Sequence, residues 1–328
     1  MSIRIPPEWA PHKAIWTAWP SAADLWGEDL EPARAEVGAM VTALAVDGGD
    51  RMRVLVNGDE ALASARVAIG AHADLIEAKF GDIWLRDTGP IFTADGGALG
   101  FQFNGWGGKY VLAHDDKVGR KIAEEAGAAL TRHDFVLEGG AIEMDGEGTL
   151  ITTRQCLLNP NRNATWTERG AEAALKQALG VEKILWIDEG LLNDHTDGHI
   201  DNLVRFVGPG RVVCQKSFGD DDPNAEVLEE IALSLSAMKD ARGRKLEVIR
   251  IPSPGIVVDE DGDPIPASHM NFLIGNKTVV VPIYSATGDD AVNALAALFP
   301  DRRVVGLSSN AILTGGGSFH CITQQEPA

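Results

Sequence analysis

The feature that most restricts how this 328-residue chain can fold is a unit that recurs along it: two short β-like runs around a tight turn, a helical stretch, then one more β-like run. Runs at 90–93 and 98–103 flank Ala94-Asp95-Gly96-Gly97, and runs at 141–144 and 149–152 flank Asp145-Gly146-Glu147-Gly148. Further along, 203–207 and 212–215 flank Gly208-Pro209-Gly210, and 271–274 turns at Gly275-Asn276 into 278–283. Glycine, asparagine and aspartate are what hairpin turns demand, because the turn backbone takes φ angles that other side chains resist.

A helical pattern follows each hairpin. Val227, Leu228, Ile231, Leu235 and Met238 recur at helical spacing, with Asp222-Pro223 in N-cap and first-turn positions and Gly243 as a stop. Shorter patterns cover 116–130, 167–179 and 289–299, and closing strands are expected at 135–137, 183–187, 246–251 and 303–306. The two ends complete a fifth unit: a strand at 14–18, a helix at 30–46 carrying Val37, Met40, Val41 and Leu44 and stopped by Gly48, a strand at 52–56, and the tail 319–323. No such unit can bury its sheet alone, so the units must stack about an axis into a closed ring, a single α/β domain over 1–328. The loops ahead of the hairpins then face that axis and bring their polar residues together.

Those loops are chemically dense: Trp84-Leu85-Arg86-Asp87-Thr88-Gly89, Glu138-Gly139-Gly140, His195-Thr196-Asp197-Gly198-His199-Ile200-Asp201-Asn202, Ser268-His269-Met270-Asn271 and Gly315-Gly316-Gly317-Ser318-Phe319-His320-Cys321. The Pro-rich stretch 252–266 reads as a long functional loop over one end. The charge balance, 29 Lys plus Arg against 48 Asp plus Glu, repels phosphate backbones and anionic membranes and suits a small cation. Most of that acidity lies on helix faces and serves solubility. No apolar run reaches the roughly 20 residues of a membrane helix, and the start Met1-Ser2-Ile3-Arg4-Ile5-Pro6-Pro7 has no apolar leader core, so a cytoplasmic protein is expected. Cys156, Cys214 and Cys321 are odd in number and far apart, which argues against a disulfide framework or a CxxC metal site.

Cys321 follows a glycine triplet that permits close backbone approach to a ligand, and it is the candidate nucleophile. Cys156 and Cys214 fall in second hairpin strands among core residues and read as packing. His199 stands where a general acid could deliver a proton to a leaving amine, with a structural histidine as the alternative. Asp87 and Asp201 are a carboxylate pair able to accept the forked N–H donors of a guanidinium, although turn formation alone would also explain either. Glu138 could orient His199 and hold it protonated, or be an exposed strand-end carboxylate. Trp84 could stack on a guanidinium, and Trp106, in Phe103-Asn104-Gly105-Trp106-Gly107-Gly108, could belong to a mobile binding loop; core packing and a capped turn are the plainer readings. Asp194, His195, Asp197, His199 and Asp201 invite a metal reading. In an extended segment, however, His195 stands apart and no second His/Cys pair completes a zinc set, so no metal is expected.

The segments Pro7-Glu8-Trp9 through Trp19-Pro20, Ile83-Trp84-Leu85-Arg86-Asp87-Thr88-Gly89-Pro90, Glu138-Gly139-Gly140, Cys156-Leu157-Leu158-Asn159-Pro160-Asn161-Arg162-Asn163 and His320-Cys321-Ile322-Thr323-Gln324-Gln325 resemble the agmatine deiminase / bacterial-type peptidylarginine deiminase family. The resemblance spans essentially the whole chain. It implies the pentein fold, a five-bladed α/β propeller of pseudo-fivefold ββαβ repeats, and it implies Cys321 as nucleophile, His199 as general acid/base, Glu138 as its partner, and Asp87 and Asp201 as guanidinium ligands with Trp84 nearby. It further implies no cofactor, a small cationic guanidine as the binding partner, no nucleic acid or membrane partner, and conversion of agmatine to N-carbamoylputrescine on the way to putrescine. A homo-oligomer is compatible with it. The chain carries Asp197-Gly198-His199-Ile200-Asp201 where the family pattern has Asn-Gly-His-Val-Asp. Another guanidine, such as peptidyl-arginine, and a catalytically silent guanidine-binding ring stay open as alternatives.

Overall fold

Five small sheets arise where the sequence alternates turn residues with apolar runs. The computed structural model describes residues 3–219, 221–285 and 288–328, so Met1 and Ser2 of the expected leaderless start lie outside the described residues. Four sheets share one pattern, an antiparallel hairpin whose second strand pairs in parallel with a strand beyond a helix. They comprise Ile91–Phe92, Ala98–Gln102 and Leu130–Val136; Ile142–Met144, Thr149–Thr153 and Lys183–Ile187; Val204–Gly208, Arg211–Lys216 and Glu247–Pro252; and Leu273–Ile274, Thr278–Ile283 and Arg303–Ser308. The remaining sheet joins the two chain ends in the order Thr323–Pro327, His12–Ala18, Met52–Val56 and Ala73–Glu77. Its last strand and the helix Asp59–Ile69 are additions to the expected repeat.

One hydrogen bond at each of the five junctions shows the ring closing. Arg86 N donates to Cys321 O (3.0 Å), Gly140 N to Asp87 Oδ1 (2.9 Å), Phe206 N to Glu143 Oε1 (2.8 Å), Arg205 Nη1 to Phe272 O (2.6 Å) and Asn276 Nδ2 to His12 O (2.9 Å). Apolar faces fill the space between sheets and their helices. In the sheet of the chain ends, Val37, Met40 and Val41 of the helix Leu30–Thr42 share a buried cluster with Ile15 and Val54, each contributing about 1.5–3 kcal/mol relative to exposure.

Several boundaries differ from expectation for local reasons. The long helix of the third unit runs Ala225–Ala237, not from Pro223. Asp222 spends its carboxylate on Ser253 Oγ (2.6 Å) and Asn224 N (2.9 Å), tying a loop down before the helix begins. Gly243 does not end that helix; with φ at 79° it serves a turn in which Asp240 Oδ1 accepts from Arg242 N and Arg244 N. The strand expected at 135–137 begins at Leu130, because its outer half, Thr131-Arg132-His133-Asp134, is polar and lies at a sheet edge. The helix expected at 30–46 ends as regular helix at Thr42 and continues as a π-turn over Ala43–Asp47, up to Gly48.

Two corrections bear on the site. The tail strand is Thr323–Pro327, not 319–323, so Cys321 lies in the turn that leads into it. Cys156 is in the short helix Arg154–Leu157, because Thr153 Oγ1 caps Cys156 N and the strand ends at Thr153, three residues before the thiol. Cys214 lies in the strand Arg211–Lys216, as expected.

Candidate active site

A single helical turn leads into each of three sheets: Leu85–Thr88, Gly139–Ala141 and Ile200–Asn202. A similar turn, closed by Ile322 N to Ser318 O and Thr323 N to His320 O, holds Cys321. These turns aim Asp87, Glu138, His199, Asp201 and Cys321 at the ring's axis, and all five are buried. Packing is tight enough that a Cβ on Gly140 would come within 2.6 Å of His199 Nδ1 and 3.0 Å of both Asp87 Oδ1 and Asp201 Oδ2.

A pocket of about 290 Å³ opens at one end of that axis, with Trp26, Trp84, Trp106 and Tyr110 around it and Asp87 and Cys321 at its floor. His199, Asp201 and Glu138 are fully buried beside these floor residues, with Asp201 Oδ2 3.6 Å from Cys321 Sγ and His199 Nδ1 3.8 Å from Asp87 Oδ2. Asp82 fixes two of the aromatic walls by accepting from Trp26 Nε1 (2.9 Å) and Trp84 Nε1 (2.7 Å), which stack with centroids 6.3 Å apart. Gly317 lets the chain pass against Trp84, since a Cβ there would lie 2.7 Å from the indole and 3.1 Å from Cys321 Sγ. Trp106 adopts φ 51°, an uncommon conformation for a bulky residue. Its indole Nε1 donates to Asp87 Oδ2 at 2.8 Å.

Charge is unevenly compensated here. Asp87 accepts only from neutral donors, Trp106 Nε1 and Gly140 N, and its nearest cation-capable group is His199 Nδ1 at 3.8 Å. Burial pushes its carboxyl up, and the Asp201 and Glu138 charges add to that against the pull of His199. Asp201 instead accepts from His320 Nδ1 at 2.8 Å. Burial pushes Asp201 up as well, but the His320 hydrogen bond and charge, with His199 and Arg205, carry it below the ordinary carboxylate range. The Cys321 thiol, 3.6 Å from Asp201 Oδ2, is raised well above a normal thiol by burial and then by the Asp201 and Asp87 charges. Asn271 holds the cysteine in place: its Nδ2 donates to Sγ (3.0 Å) and its Oδ1 accepts from Cys321 N (3.1 Å).

His199 is fully buried, and both ring nitrogens are without a conventional hydrogen-bond partner. Burial pulls it down, yet the Asp87 charge, the Cys156 thiol against the ring and the Glu138 charge lift it to about 10. The Cys156 thiol is itself raised by burial and so neutral at ordinary pH, which leaves Asp87 and Glu138 as the standing charges. Glu138 is not the exposed carboxylate that its position allowed: it is buried and bonded to Arg162 Nε at 2.6 Å. Its other oxygen, Oε2, is buried without a partner. Among the described residues, Glu138, Cys156 and His199 place potential metal-ligand atoms within 4.8 Å of one another. The Arg162 cation on Glu138 and the neutral thiol both oppose a divalent ion there.

The extended arrangement expected for 195–201 is not found. Asp197 takes φ 64° and turns away to Lys109 Nζ (2.6 Å), Asn161 Nδ2 (3.0 Å) and Arg162 Nη1 (2.5 Å), while His195 reaches the pocket rim beside Tyr110. The residues 252–266 are not among those lining the pocket; Pro264 O accepts from Asn193 Nδ2 (2.8 Å), two residues before His195 at the rim. Reading by residue type missed Arg162, Asn271, His320, Glu8 and the place of Cys156. Each sits within or beside the polar loops and the family-like segments named above.

The family model for Porphyromonas-type peptidyl-arginine deiminase matches residues 4–327. An agmatine deiminase of Stutzerimonas stutzeri is 40% identical, covering 99% of this chain and 95% of its own, and one of Pseudomonas aeruginosa is 39% identical over 99% and 96%. The solved agmatine deiminase of Enterococcus faecalis superposes with a TM-score of 0.93 at 32% identity, covering 99% of this chain and 96% of its own. Among the described residues no helix is long and apolar enough to cross a membrane.

Proposed function

The chain belongs to the Porphyromonas-type peptidyl-arginine deiminase family, and from that premise we propose that it is an agmatine deiminase, hydrolysing agmatine to N-carbamoylputrescine and ammonia through Cys321. The observation that carries this reading is a thiol at the floor of an aromatic-walled pocket beside two buried carboxylates, one of them hydrogen-bonded to neutral donors alone among the described residues. A guanidinium is the cation that fits: planar, forked and able to donate to Asp87 and Asp201 together while lying between indole faces.

The empty pocket keeps Cys321 protonated, because a thiolate there would face two negative charges in a dry site. Entry of a cation reverses that balance, and as the substrate binds the thiol gives its proton to solvent water at the pocket, His199 being already protonated. The thiolate attacks the guanidinium carbon, and the His199 imidazolium gives its proton to the nitrogen that departs as ammonia. A Cys321 thiouronium remains. Neutral His199 then takes a proton from water as the oxygen attacks the same carbon, and collapse expels the thiolate with the ureido product. Glu138 and Asp87 supply the charge that keeps His199 protonated for the first step. Sheets on all sides contribute these groups, which supports treating 1–328 as one functional unit. Because the chemistry needs Cys321 as a free thiol, we place the enzyme in the reducing cytoplasm.

Steady-state assays of ammonia and ureido product with agmatine, free arginine and a peptide ending in arginine test the proposal. Agmatine should give the highest kcat/KM. Turnover that survives Cys321→Ala, or a preference for the peptide, would replace this reading with another.

A further inference from the structure

Behind the thiol, away from the pocket, stands a buried histidine that none of the steps above uses. His320 precedes Cys321 in the chain, yet with Glu8, Arg86 and Glu143 it lines a recess distinct from the substrate pocket. Its Nδ1 is 2.8 Å from Asp201 Oδ2 and its Nε2 is 2.8 Å from Glu8 Oε2. Ionised carboxylates only accept hydrogen bonds, and a neutral imidazole has one N–H to donate. With an acceptor at each nitrogen, the ring can donate in both directions only when both nitrogens carry a proton. Glu8 is itself anchored, accepting from Arg205 Nη2 (2.5 Å) and from Ile274 N (2.8 Å), and Arg205 also donates to Glu143 Oε2 (3.0 Å). The backbone of His320 is pinned as well: its N–H donates to Asn271 Oδ1 (3.0 Å) and its carbonyl accepts from Arg86 Nε (3.3 Å).

Resting on the deiminase reading of the site, we infer that His320 is a positioning residue: an imidazolium strut between Asp201 and Glu8 that engages Asp201 Oδ2 and leaves Oδ1 to receive the substrate's guanidinium. Among the described residues, Asp201 Oδ1 is buried and without a partner, as an acceptor reserved for a ligand would be. Asp87 has no such strut and relies on an indole and a peptide N–H. The charged and titratable groups around the pair are Glu8, Glu143, Arg86 and Arg205 behind it and Asp87, His199 and Cys321 in front. Removal of the imidazolium leaves Asp201 among carboxylates in a dry site, where its charge is disfavoured.

The test is agmatine kinetics as a function of pH for wild type, His320→Ala and His320→Gln, each also made in an Asp201→Asn background. His320→Ala should raise KM roughly 10- to 100-fold, the span expected when a charged acceptor loses its partner, with a smaller change in kcat. The acid limb of kcat/KM should move to higher pH and steepen as Asp201 begins to titrate alongside Asp87, and His320→Gln should recover part of the loss. In the Asp201→Asn background the same substitutions should cost little more. A uniform loss with an unchanged pH profile, or an equal loss in both backgrounds, overturns the inference. Heteronuclear NMR of the histidine ring nitrogens in wild-type protein separates this from the activity itself. Agmatine turnover with a singly protonated His320 overturns the strut alone, whereas a doubly protonated His320 in a protein inactive on agmatine overturns the proposed activity alone.

Discussion

The two ends of the ring's axis hold the same kinds of side chains arranged to opposite effect. At the closed end, Glu8 meets Arg205 at 2.5 Å, His320 at 2.8 Å and Arg86 at 3.9 Å, and its carboxyl is held well below the ordinary range despite the upward push of burial. At the pocket end, Asp87 has neutral donors only and is pushed up. Both carboxylates are buried, so depth alone does not separate them. The closed end satisfies its charges internally and contributes to holding the blades together. The open end gives Asp87 neutral hydrogen-bond donors and a single cation-capable neighbour, His199 at 3.8 Å, for the charges of Asp87, Asp201 and Glu138, and a cationic substrate completes it.

The contrast breaks most sharply at Arg205, which joins Glu8, Glu143 and the carbonyls of Met270 and Phe272 across two junctions. Arg205→Met keeps the bulk but strands two buried carboxylates, and it should cost about 3–5 kcal/mol of stability. Urea unfolding measures this, and a loss below about 1 kcal/mol would mean that the closed end is no more structural than a surface pair.

Asp87→Asn probes the other end and should do the reverse. Stability should hold, because relief of the buried carboxylate's desolvation offsets the loss of its attraction to His199 at 3.8 Å, while kcat/KM for agmatine should fall about 100-fold. The pH profile sharpens the point. Asp87 must be ionised to receive the cation, and its carboxyl is pushed up, so kcat/KM should fall with decreasing pH along a limb lying above ordinary carboxylate titration. His199, lifted to about 10, must be protonated to release ammonia, so activity should fall again as pH rises through that value. Asp87 is the strongest of the charges lifting His199 against the downward pull of burial, so Asp87→Asn should erase the acid limb and draw the alkaline limb down. An unchanged profile would remove Asp87 from both roles.

The repeat was legible in the sequence because each hairpin carries its own turn chemistry and each helix its own apolar stripe, signals that need only neighbouring residues. The meeting of Asp87, His199, Asp201 and Cys321 then followed from ring closure. Partners could not be read the same way. Glu8 and His320 stand 312 positions apart, and nothing local to either marks the other. Arg162 was visible as a residue but not as the partner of Glu138, since the two meet only once separate loops fold over the axis. Cys156 was misplaced by a single capping bond from Thr153, which turns an extended run into a helical turn and sets the thiol against His199.

The smallest effect is expected at the rim of the pocket, where Tyr110 OH meets His195 Nδ1 at 2.9 Å and Lys109 Nζ donates to His195 O (2.7 Å) and Asp197 Oδ1 (2.6 Å). These bonds clip the loop after Trp106 to the loop before His199, but they are exposed to water, which competes for every donor. Tyr110→Phe keeps the ring that stacks on His195 at 5.8 Å and removes only the hydroxyl. Its kcat/KM should drop by less than about threefold, chiefly through KM, as for the loss of one solvent-exposed hydrogen bond. A tenfold or larger loss in kcat would show that the clasp also fixes Trp106, and through it the Asp87 carboxylate, so that the open end depends on its rim as the closed end depends on Arg205.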